Sequence, residues 1–551
     1  MATQRIEFTE WTPDRTGIAQ NLSVAKNVIP SSVGYIPFPL AVDYSNAASE
    51  NLLTMFSGRF TDATTLFAGG ATKLFKYNGA TLNVDDVSKS VARTISNVEL
   101  TTNVATITTS SDHKYSTGDS VVVDASNNTF DGTYTITSTP TTTTFTYAKV
   151  NANIPSASAT GTVITGAYSA IEDWNFIQFG DTIIASNNKN KLQSYSISGG
   201  GYFGDLSPNA PIAKYLTVVR DFVVSAYLDG GSNPNKVQWS DINDASDWTT
   251  GATSQSDYQI IADGGNITGI TGGEFGLVFL ERAIVRMSYI GSPYFFQFDA
   301  ISRNLGCTEG NSIAQYGNTT FFLGEDGFYL CDGQTVKPIG NERVDRFFYA
   351  NVNPSKLSDM STSIDPYRKI VVWNFINNFA KNNLMIYNWQ TDRWSFAETD
   401  VNYISTGSSP AITLEGLDLY GTMDSIQTSF DSRLWAGGKL LFGGVRGTKV
   451  VTFTGRNSTA QITTGDIGNE MTSIVTLARP IVNNGSADVA IASRLLLNQV
   501  PVYGDYVSAD SENRASLRSS GKYHRLSILP TGDQWDDIIA IDIEIFPQGT
   551  R

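Results

Sequence analysis

Histidine and cysteine are nearly absent from this chain of 551 residues, which contains two of each. Cys307 and Cys331 have no further cysteine or histidine at the spacing of metal ligands. Neither a disulfide framework nor a metal site is therefore indicated, and we expect both to be buried as small apolar residues. His113 and His524 lie far apart and in different predicted modules. A catalytic triad built on histidine has no support in this composition.

Basic charge is scarce relative to acidic charge. The chain has 38 Lys and Arg against 53 Asp and Glu, which gives a formal net charge of −15 and a pI near 4.7. This balance argues against a protein that wraps duplex DNA, because wrapping needs a basic surface to displace counterions from phosphates. It is compatible with DNA that passes nearby without being held, and also with an acidic surface that serves solubility alone.

Long apolar runs are missing as well. No stretch approaches the ~18 consecutive apolar residues that a membrane-spanning helix needs. The N-terminus also lacks the basic region and apolar core of a secretion signal. We therefore expect a protein without a membrane span that is synthesised and folded in the cytoplasm.

Motifs of common enzymes are absent too. There is no G-x-S-x-G, no G-x-x-x-x-G-K-S/T and no H-E-x-x-H. The strongest remaining candidate is the acidic segment 241–247, whose Asp241 and Asp247 could bind calcium or act in a glycan-cleaving carboxylate pair. We favour a structural turn held by Trp239 and Trp248. The sequence thus predicts no enzyme, no catalytic residue, no cofactor and no metal.

Short β-strands are what the sequence contains in abundance. Runs rich in Val, Ile, Thr, Tyr and Phe alternate with Gly, Asn and Asp clusters, whereas helical periodicity is almost absent. These runs recur at intervals of roughly 40 residues, a period expected for propeller blades. We predict an all-β fold in which residues 51–94 and 166–455 form a β-propeller of six or seven blades; a stack of β-sandwiches is the competing hypothesis. The candidate blade segments are 52–77, 174–197, 215–248, 267–298, 319–333, 369–394 and 434–453.

A change of pattern predicts an inserted module at residues 95–165. Here Thr and Ser alternate with apolar residues, and turn signals occur at 118–119 and 131–132. We interpret the segment as a small β-barrel or sandwich inserted into the first blades, since exposed loop tips tolerate insertions whose ends lie close together. A host-facing role and a role as a solvated spacer are both open for it.

Residues 456–551 are predicted to form a C-terminal β platform, because the blade pattern fades there while strand-like runs continue. In the last run, alternation should place Asp542 and Glu544 on one face and Ile541 and Ile543 on the other. The acidic face could line an interface or a channel, or it could simply be the solvent side of a sheet. The predicted strands are 472–477, 493–497 and 538–546.

The first 50 residues are predicted to form an extended strap. Four prolines between residues 13 and 39 fix their own φ angles and favour extended geometry in the residues before them, so no helix is expected. Trp11, Ile36 and Phe38 lie among these prolines and are expected to anchor the strap on a larger body. We expect deletion of residues 1–40 to prevent assembly while leaving the blades folded.

The strap also contains a distinctive set of motifs: W-T-P-D at 11–14, N-L-S-V-A-K-N-V-I-P at 21–30 and G-Y-I-P-F-P at 34–39. With these motifs the chain resembles the tail nozzle, tail tubular or packaged-DNA stabilisation proteins of short-tailed bacteriophages. The resemblance covers about the first 40 residues, and a weaker one covers 521–535. The inserted segment, with its H-x-x-x-x-G-D and F-x-G-T-Y patterns, resembles a small β module that recurs in phage virion proteins.

The resemblance implies a virion protein of the phage tail. It would form a homo-oligomeric ring, six-fold by resemblance, below the portal and adaptor proteins, and DNA would pass through its lumen without sequence-specific binding. The strap and the C-terminal region would make the subunit contacts. A tail protein that binds or cleaves host surface glycan is the alternative, and a soluble propeller scaffold that binds another protein is a third hypothesis. The candidate subunit-contact residues are Trp11, Pro13, Asp14, Tyr35, Pro37, Phe38, His524 and Arg525.

Overall fold

The computed structural model describes residues 2–15, 21–61, 63–170, 173–408, 415–420, 422, 426, 428, 432, 435 and 440–548. Across these residues the chain is all-β, which confirms the predicted fold class: a β-propeller, an inserted barrel and a large mixed sheet. Helices are few and short. In the same residues they are one α-helix, Asp345–Asn351, and the 3-10 helices Asn128–Phe130, Asp229–Gly231, Gly310–Ser312, Pro354–Asp359 and Glu415–Tyr420.

Six separate four-stranded antiparallel sheets form propeller blades in the described part of the chain. Strands such as Gly276–Leu280 are buried along their whole length because both faces of a blade pack against neighbouring blades. In chain order of their first strands the blades are Leu52–Phe60, Ala63–Gly70, Leu74–Asn78, Asn83–Asp86; Asn175–Phe179, Thr182–Ser186, Gln193–Ser196, Gly200–Asp205; Ala213–Val219, Phe222–Leu228, Asn233–Trp239, Asp257–Ile260; Ile267–Thr271, Gly276–Leu280, Ile284–Gly291, Phe295–Ser302; Ala314–Tyr316, Thr319–Leu323, Phe328–Cys331, Val336–Pro338; and Tyr403–Ser408, Leu440–Arg446, Lys449–Thr452, Val42–Asp43.

The last of these blades joins the two ends of the propeller. Its outermost strand is Val42–Asp43, which comes from before the first blade and pairs with Lys449–Thr452. Asp43 accepts a hydrogen bond from Lys449 Nζ at 2.6 Å and forms an ion pair with Arg446. A strand borrowed from the other end of the propeller closes the ring and leaves no long free sheet edge at the seam.

The large sheet contributes four consecutive strands to the same ring. They pack between the fifth blade and the last: Trp373 and Trp394 lie against Phe328 of the fifth blade, with ring centroids 4.7 and 5.2 Å away. On the other side, Ser363 Oγ lies 2.6 Å from Thr406 Oγ1 of the last blade. These strands are Ser361–Asp365, Ile370–Ile376, Asn382–Asn388 and Arg393–Thr399.

From there the large sheet continues into strands from both ends of the chain. The sheet therefore connects the propeller to the C-terminal residues through hydrogen bonds. The N-terminal strands, the propeller and the C-terminal strands contribute side chains to one hydrophobic core. Burial in Asp537–Pro547 follows the expected alternation, since Ile541 and Ile543 are buried while Asp542 and Glu544 are partly exposed. The remaining strands of this sheet are Ala2–Glu7, Leu22–Lys26, Val28–Pro30, Tyr35–Pro37, Gln461–Thr464, Ile467–Asn483, Ser486–Arg494, Val507–Ser508, Ala515–Thr531 and Asp537–Pro547.

The inserted module is a closed barrel of six strands with a seventh strand paired to its side. Its centre is filled by Phe130, Phe145 and Tyr147, which are fully buried. Lys89 follows the last strand of the first blade and connects the propeller to the barrel. Its Nζ lies 2.6 Å from Asp119 Oδ2 in the barrel. The barrel strands are Arg93–Thr101, Val104–Thr109, Ser120–Ala125, Gly132–Thr141, Thr144–Ala148 and Gly161–Thr165, and the additional strand is Ile154–Ser158.

Both cysteines are free thiols inside the propeller, as predicted. Burial raises the pKa of the Cys307 thiol to about 12 and also raises the pKa of Cys331, so both remain protonated at neutral pH. Among the described residues, the structure has no helix of the length and apolar character that crossing a membrane requires.

Candidate assembly surfaces

The N-terminal segment is an internal strand of the large sheet. Leu22–Lys26 pairs antiparallel with Gln461–Thr464 along one edge and meets Arg393–Thr399 on the other, where Lys26 lies opposite Phe396. The backbone is extended, as the prolines predict, but the segment does not cross the outside of a finished body. Its hydrogen bonds connect the propeller to the C-terminal strands, so the interpretation as a strap is corrected to that of a connecting strand.

Trp11 is fully buried at this junction. Its ring packs edge-on against Phe347 at 5.0 Å and lies 5.1 Å from Phe396. The indole Nε1 donates a hydrogen bond to the carbonyl oxygen of Ser23 at 3.2 Å. Because the whole side chain is enclosed by its own subunit, it has no area left with which to touch a neighbour.

Asp14 caps the one α-helix of the described chain. Its two carboxylate oxygens accept hydrogen bonds from the backbone N–H groups of Arg346 and Phe347 at 2.7 and 2.8 Å. A carboxylate in this position satisfies amides that lack partners within the helix and interacts favourably with the helix dipole. Pro13 beside it is partly exposed. Pro13 and Asp14 could therefore contact another subunit only through their partly exposed atoms.

Tyr35, Pro37 and Phe38 form a hairpin region beside the same junction. Tyr35 is fully buried and its hydroxyl donates to the carbonyl oxygen of Thr9 at 2.9 Å; burial raises the pKa of this hydroxyl. Phe38 packs edge-on against Phe453 at 5.2 Å and is likewise buried. Pro37 is partly exposed. Again the aromatic members of the motif serve the interior of the subunit.

His524 lies in the middle of the long strand Ala515–Thr531 and is fully buried, so it does not occupy an exposed turn. Its Nε2 is 2.9 Å from Ser473 Oγ and its Nδ1 is 2.7 Å from Ser493 Oγ, on the strands to either side. Arg525 points to the other face and donates to Asp466 Oδ2 at 2.9 Å. The prediction that His524 contacts a neighbouring subunit is therefore replaced by an internal role that links three strands.

We expect His524→Gln to alter how stability depends on pH. Burial lowers the pKa of His524, so the unfolded chain takes up a proton at higher pH than the folded chain does. Stability from this residue is complete above the unfolded pKa of about 6.5 and is lost as pH falls below it. Denaturation of wild type and variant between pH 8 and about 5 measures the difference.

The matched control for this experiment is His113→Gln. His113 is also buried, in the barrel, and burial lowers its pKa as well. The His113 variant should therefore change the pH dependence of the barrel transition, whereas the His524 variant should change that of the main transition, which contains the large sheet. At pH 8 the His524 variant should cost about 1 to 2 kcal/mol for its serine hydrogen bonds. If the difference in the free energy of unfolding between wild type and the His524 variant stays constant across the pH range, this assignment is wrong.

A cavity of about 460 Å³ opens near the starts of the innermost blade strands. Its lining is polar, and it includes Asn311 Nδ2, which donates to Asp173 Oδ2 at 3.0 Å between segments 138 residues apart. Lys214 and Glu309 add one charge of each sign. In the described part of the chain no cluster of three or more His, Cys, Asp or Glu side chains could hold a metal ion.

The acidic segment 241–247 is a turn whose carboxylates bind backbone amides. Asp241 Oδ1 accepts from Gln255 N at 2.7 Å, and Asp247 Oδ1 accepts from Thr249 N at 2.9 Å. The predicted staple is present: Trp239 and Trp248 are both buried, and their indole nitrogens donate to the backbone carbonyls of Gln255 and Ala245 at 2.8 Å each. The side chains that could have formed an acid pair or calcium site thus already have structural partners.

Comparison with known proteins finds only remote structural likenesses. No family model and no curated protein sequence matches the chain. Among solved structures, the computationally designed Ika8 protein aligns with a TM-score of 0.34 at 8% identity, covering 75% of this chain and 98% of its own. A candidate 6-phosphogluconolactonase from Bacteroides uniformis aligns at 0.29 and 10% identity, covering 63% of this chain and 95% of its own. The dihydro-heme d1 dehydrogenase NirN also aligns at 0.29 and 10% identity, with coverages of 74% and 75%. Likeness at this level supports no conclusion about this chain.

Proposed function

We propose that this protein is a structural subunit of a short bacteriophage tail. In this role it forms a ring, six-fold by resemblance, below the portal and adaptor, retains packaged DNA in the particle and passes it at ejection. The observation that carries the proposal is the position of the motifs at 11–14, 21–30 and 34–39. These motifs include the connecting strand Leu22–Lys26 and the buried aromatic side chains that join the propeller to the large sheet.

Burial of these motifs gives the resemblance structural weight. A short match on a solvent-exposed loop can arise from many unrelated folds, because few contacts constrain it. Trp11 and Tyr35, in contrast, are fully enclosed by residues from three distant parts of the chain. A protein that shares this motif therefore needs a similar pocket to receive it. This supports common architecture with the phage tail proteins that the motif resembles.

The charge of the protein fits a conduit. A net charge of −15 disfavours tight contact with phosphates, and DNA that must slide needs a wall that does not hold it. The mechanism in this proposal is mechanical: subunits form a passage and no bond is made or broken. The protein would be found in the tail of the virion after synthesis in the host cytoplasm.

The glycan-binding alternative has weaker support. Its best candidates, Asp241 and Asp247, accept hydrogen bonds from backbone amides that shape their own turn. A hydrolytic pair needs one carboxyl to remain available for protonating the leaving oxygen and the other for attack or activation of water. Activity of the purified protein on a panel of surface polysaccharides, abolished by Asp241→Asn, would favour this alternative over the conduit.

Electron cryomicroscopy of particles that contain this chain tests the proposal. We expect a ring of density around the tail axis, reconstructed without imposed symmetry, with one propeller per subunit. A small affinity tag inserted at Val150, which is 88% exposed on the barrel, should label that ring with gold at its periphery. Label confined to side fibres, or particles that lack the chain, would contradict the conduit role.

A further inference from the structure

A loop in the large sheet exposes an unusual amount of apolar surface. It spans residues 495–502, directly after the strand Ser486–Arg494, and we call it the apolar loop. Four of its side chains are more than half exposed, and none of its eight residues is charged. Solvent-facing apolar groups clustered in this way mark an interaction site more often than a solvated turn. Its exposed residues are Leu495 at 54%, Leu496 at 58%, Leu497 at 40%, Val500 at 81% and Val502 at 80%.

Hydrogen bonds hold the apolar loop in a defined conformation. Gln499 Oε1 accepts from the backbone N–H groups of Leu495 and Leu496 at 3.1 and 3.2 Å, and Gln499 O accepts from Arg494 Nη1 at 2.8 Å. The same Arg494 guanidinium donates to Asp466 Oδ2 at 2.5 Å within the sheet. The leucine and valine side chains are thus presented to solvent by an ordered turn, so little conformational entropy remains to be lost on docking.

A groove of about 790 Å³ lies at the opposite end of the same strand. It includes Asn484, which precedes Ser486–Arg494, whereas the apolar loop follows that strand. Nine strand residues separate the two features by roughly 30 Å, since each residue advances the chain by about 3.4 Å. One copy of the chain therefore carries a projecting apolar loop at one end of the sheet and a recess at the other.

The groove has the composition expected of a receiving surface. Phe442, Phe453 and Trp535 are buried at its base, and Tyr367 and Leu440 are exposed in its wall. Four of the five charged residues in its lining are already paired with one another. An uncharged loop that enters would cover apolar surface without separating a charge from its partner. The rim pairs are Arg456 with Asp533 and Arg368 with Asp365, both at 3.0 Å.

We propose that the apolar loop of one copy docks in the groove of a second copy. The two surfaces lie too far apart to meet within one chain, and they differ from each other, so the contact is head-to-tail. Such a heterologous contact closes into a ring when the rotation between copies fits, and otherwise extends as a filament. This inference rests on the ring of the proposed function and names the two surfaces through which its copies would associate. A failure of this contact in the purified chain would leave the location of the protein in the tail to be tested separately by electron cryomicroscopy.

Leu496→Asp combined with Val500→Asp tests the loop. Both side chains are more than half exposed, so the subunit should fold normally. Charges in place of two aliphatic groups that become buried should weaken self-association about 100-fold or more in sedimentation equilibrium. The matched control is Val150→Asp, an equally exposed valine on the barrel, which should leave the association constant unchanged. A wild-type chain that stays monomeric at high micromolar concentration would overturn the proposal, and so would a double variant that associates normally.

Site-directed cross-linking tests the head-to-tail geometry. Val500→Cys places a thiol on the loop and Tyr367→Cys places one in the groove wall, while the two native cysteines are fully buried. With a bis-maleimide linker, the chain with both substitutions should give a ladder of dimers, trimers and larger species. A mixture of the two single variants should give dimers alone, each containing one of each. Dimers from the Val500→Cys variant by itself would show loop-to-loop contact and would overturn the proposal.

Discussion

Deletion of residues 1–40 is expected to unfold the propeller and the large sheet together. The deletion removes Leu22–Lys26 from between two neighbouring strands, which leaves both of those strands with unpaired backbone groups. It also removes seven fully or almost fully buried large side chains, each worth about 1.5 to 3 kcal/mol on burial. The total is comparable with the whole stability of a domain, about 5 to 15 kcal/mol. The seven side chains are Phe8, Trp11, Leu22, Val28, Ile29, Tyr35 and Phe38.

Calorimetry and limited proteolysis of the truncated chain measure this effect. We expect the main cooperative transition to disappear, while the barrel at Arg93–Thr165 retains protease resistance because its core is its own. The control removes residues 1–7 only, which deletes Ala2–Glu7, a strand paired along one side with Asp537–Pro547. That chain should still unfold cooperatively. If residues 41–551 unfold at the temperature of the full chain, the connecting strand is dispensable.

The expectation from sequence was different, and the reason is instructive. The prolines correctly indicated extended backbone in the part of the segment that the structure describes, but they say nothing about which strands it pairs with. The partners of Leu22–Lys26 lie about 370 and 440 residues further along the chain, at Arg393–Thr399 and Gln461–Thr464. Strand pairing at such separation leaves no local trace, so the segment was interpreted as a strap over a body that could fold without it.

The fold class was predictable because it depends on local alternation. In the barrel, Val121 and Val123 are buried while Val122 between them is exposed, as period-two alternation requires. Blade strands such as Gly276–Leu280 are apolar and buried throughout because both faces are covered. Tight turns between such runs then indicate antiparallel hairpins, and their recurrence indicates a propeller. The alternation and the turns are each visible within a few residues of sequence, and the recurrence is the same local pattern repeated at intervals of roughly 40 residues.

The apolar loop shows where the same logic fails. Residues 493–497 were predicted to be a strand on the strength of the leucine run, but the strand ends at Arg494 and the leucines face solvent. Composition cannot distinguish an apolar run that enters a core from one that is presented to a partner. The sequence signal for a turn was Gln499. Its side-chain oxygen accepts hydrogen bonds from two backbone N–H groups, which favours a turn over continued strand pairing.

Four of the eight candidate contact residues are buried within the subunit, for a related reason. Aromatic residues in a proline-rich segment were expected to lie between subunits, because such residues are enriched at interfaces. Trp11, Tyr35 and Phe38 are instead buried within the subunit, and so is His524. Burial inside a chain and burial between chains require the same residue types. Pro13, Asp14, Pro37 and Arg525 retain exposed area, and their role in subunit contacts stays a prediction.

Trp11→Ala should destabilise the propeller and large sheet by about 3 to 5 kcal/mol, the usual cost of removing a buried Trp side chain. The indole is enclosed by Phe347 and Phe396, so its removal leaves a cavity between two aromatic rings, and Ser23 O loses its donor. Trp11→Phe, which keeps part of the packing, should cost less. Chemical denaturation gives the difference in the free energy of unfolding. It is monitored by far-ultraviolet circular dichroism, because that signal reports the backbone and does not depend on Trp11.

Val33→Ala is the matched control within the same N-terminal segment. Val33 is 56% exposed, and substitution there should change stability by no more than about 0.5 kcal/mol. The barrel transition should be unchanged in all three variants, because the barrel core contains no residue that touches Trp11. A large effect of Trp11→Ala confined to the main transition would locate the strength of the junction at this side chain. An effect no larger than that of Val33→Ala would instead mean that backbone pairing by Leu22–Lys26 holds the junction without the indole.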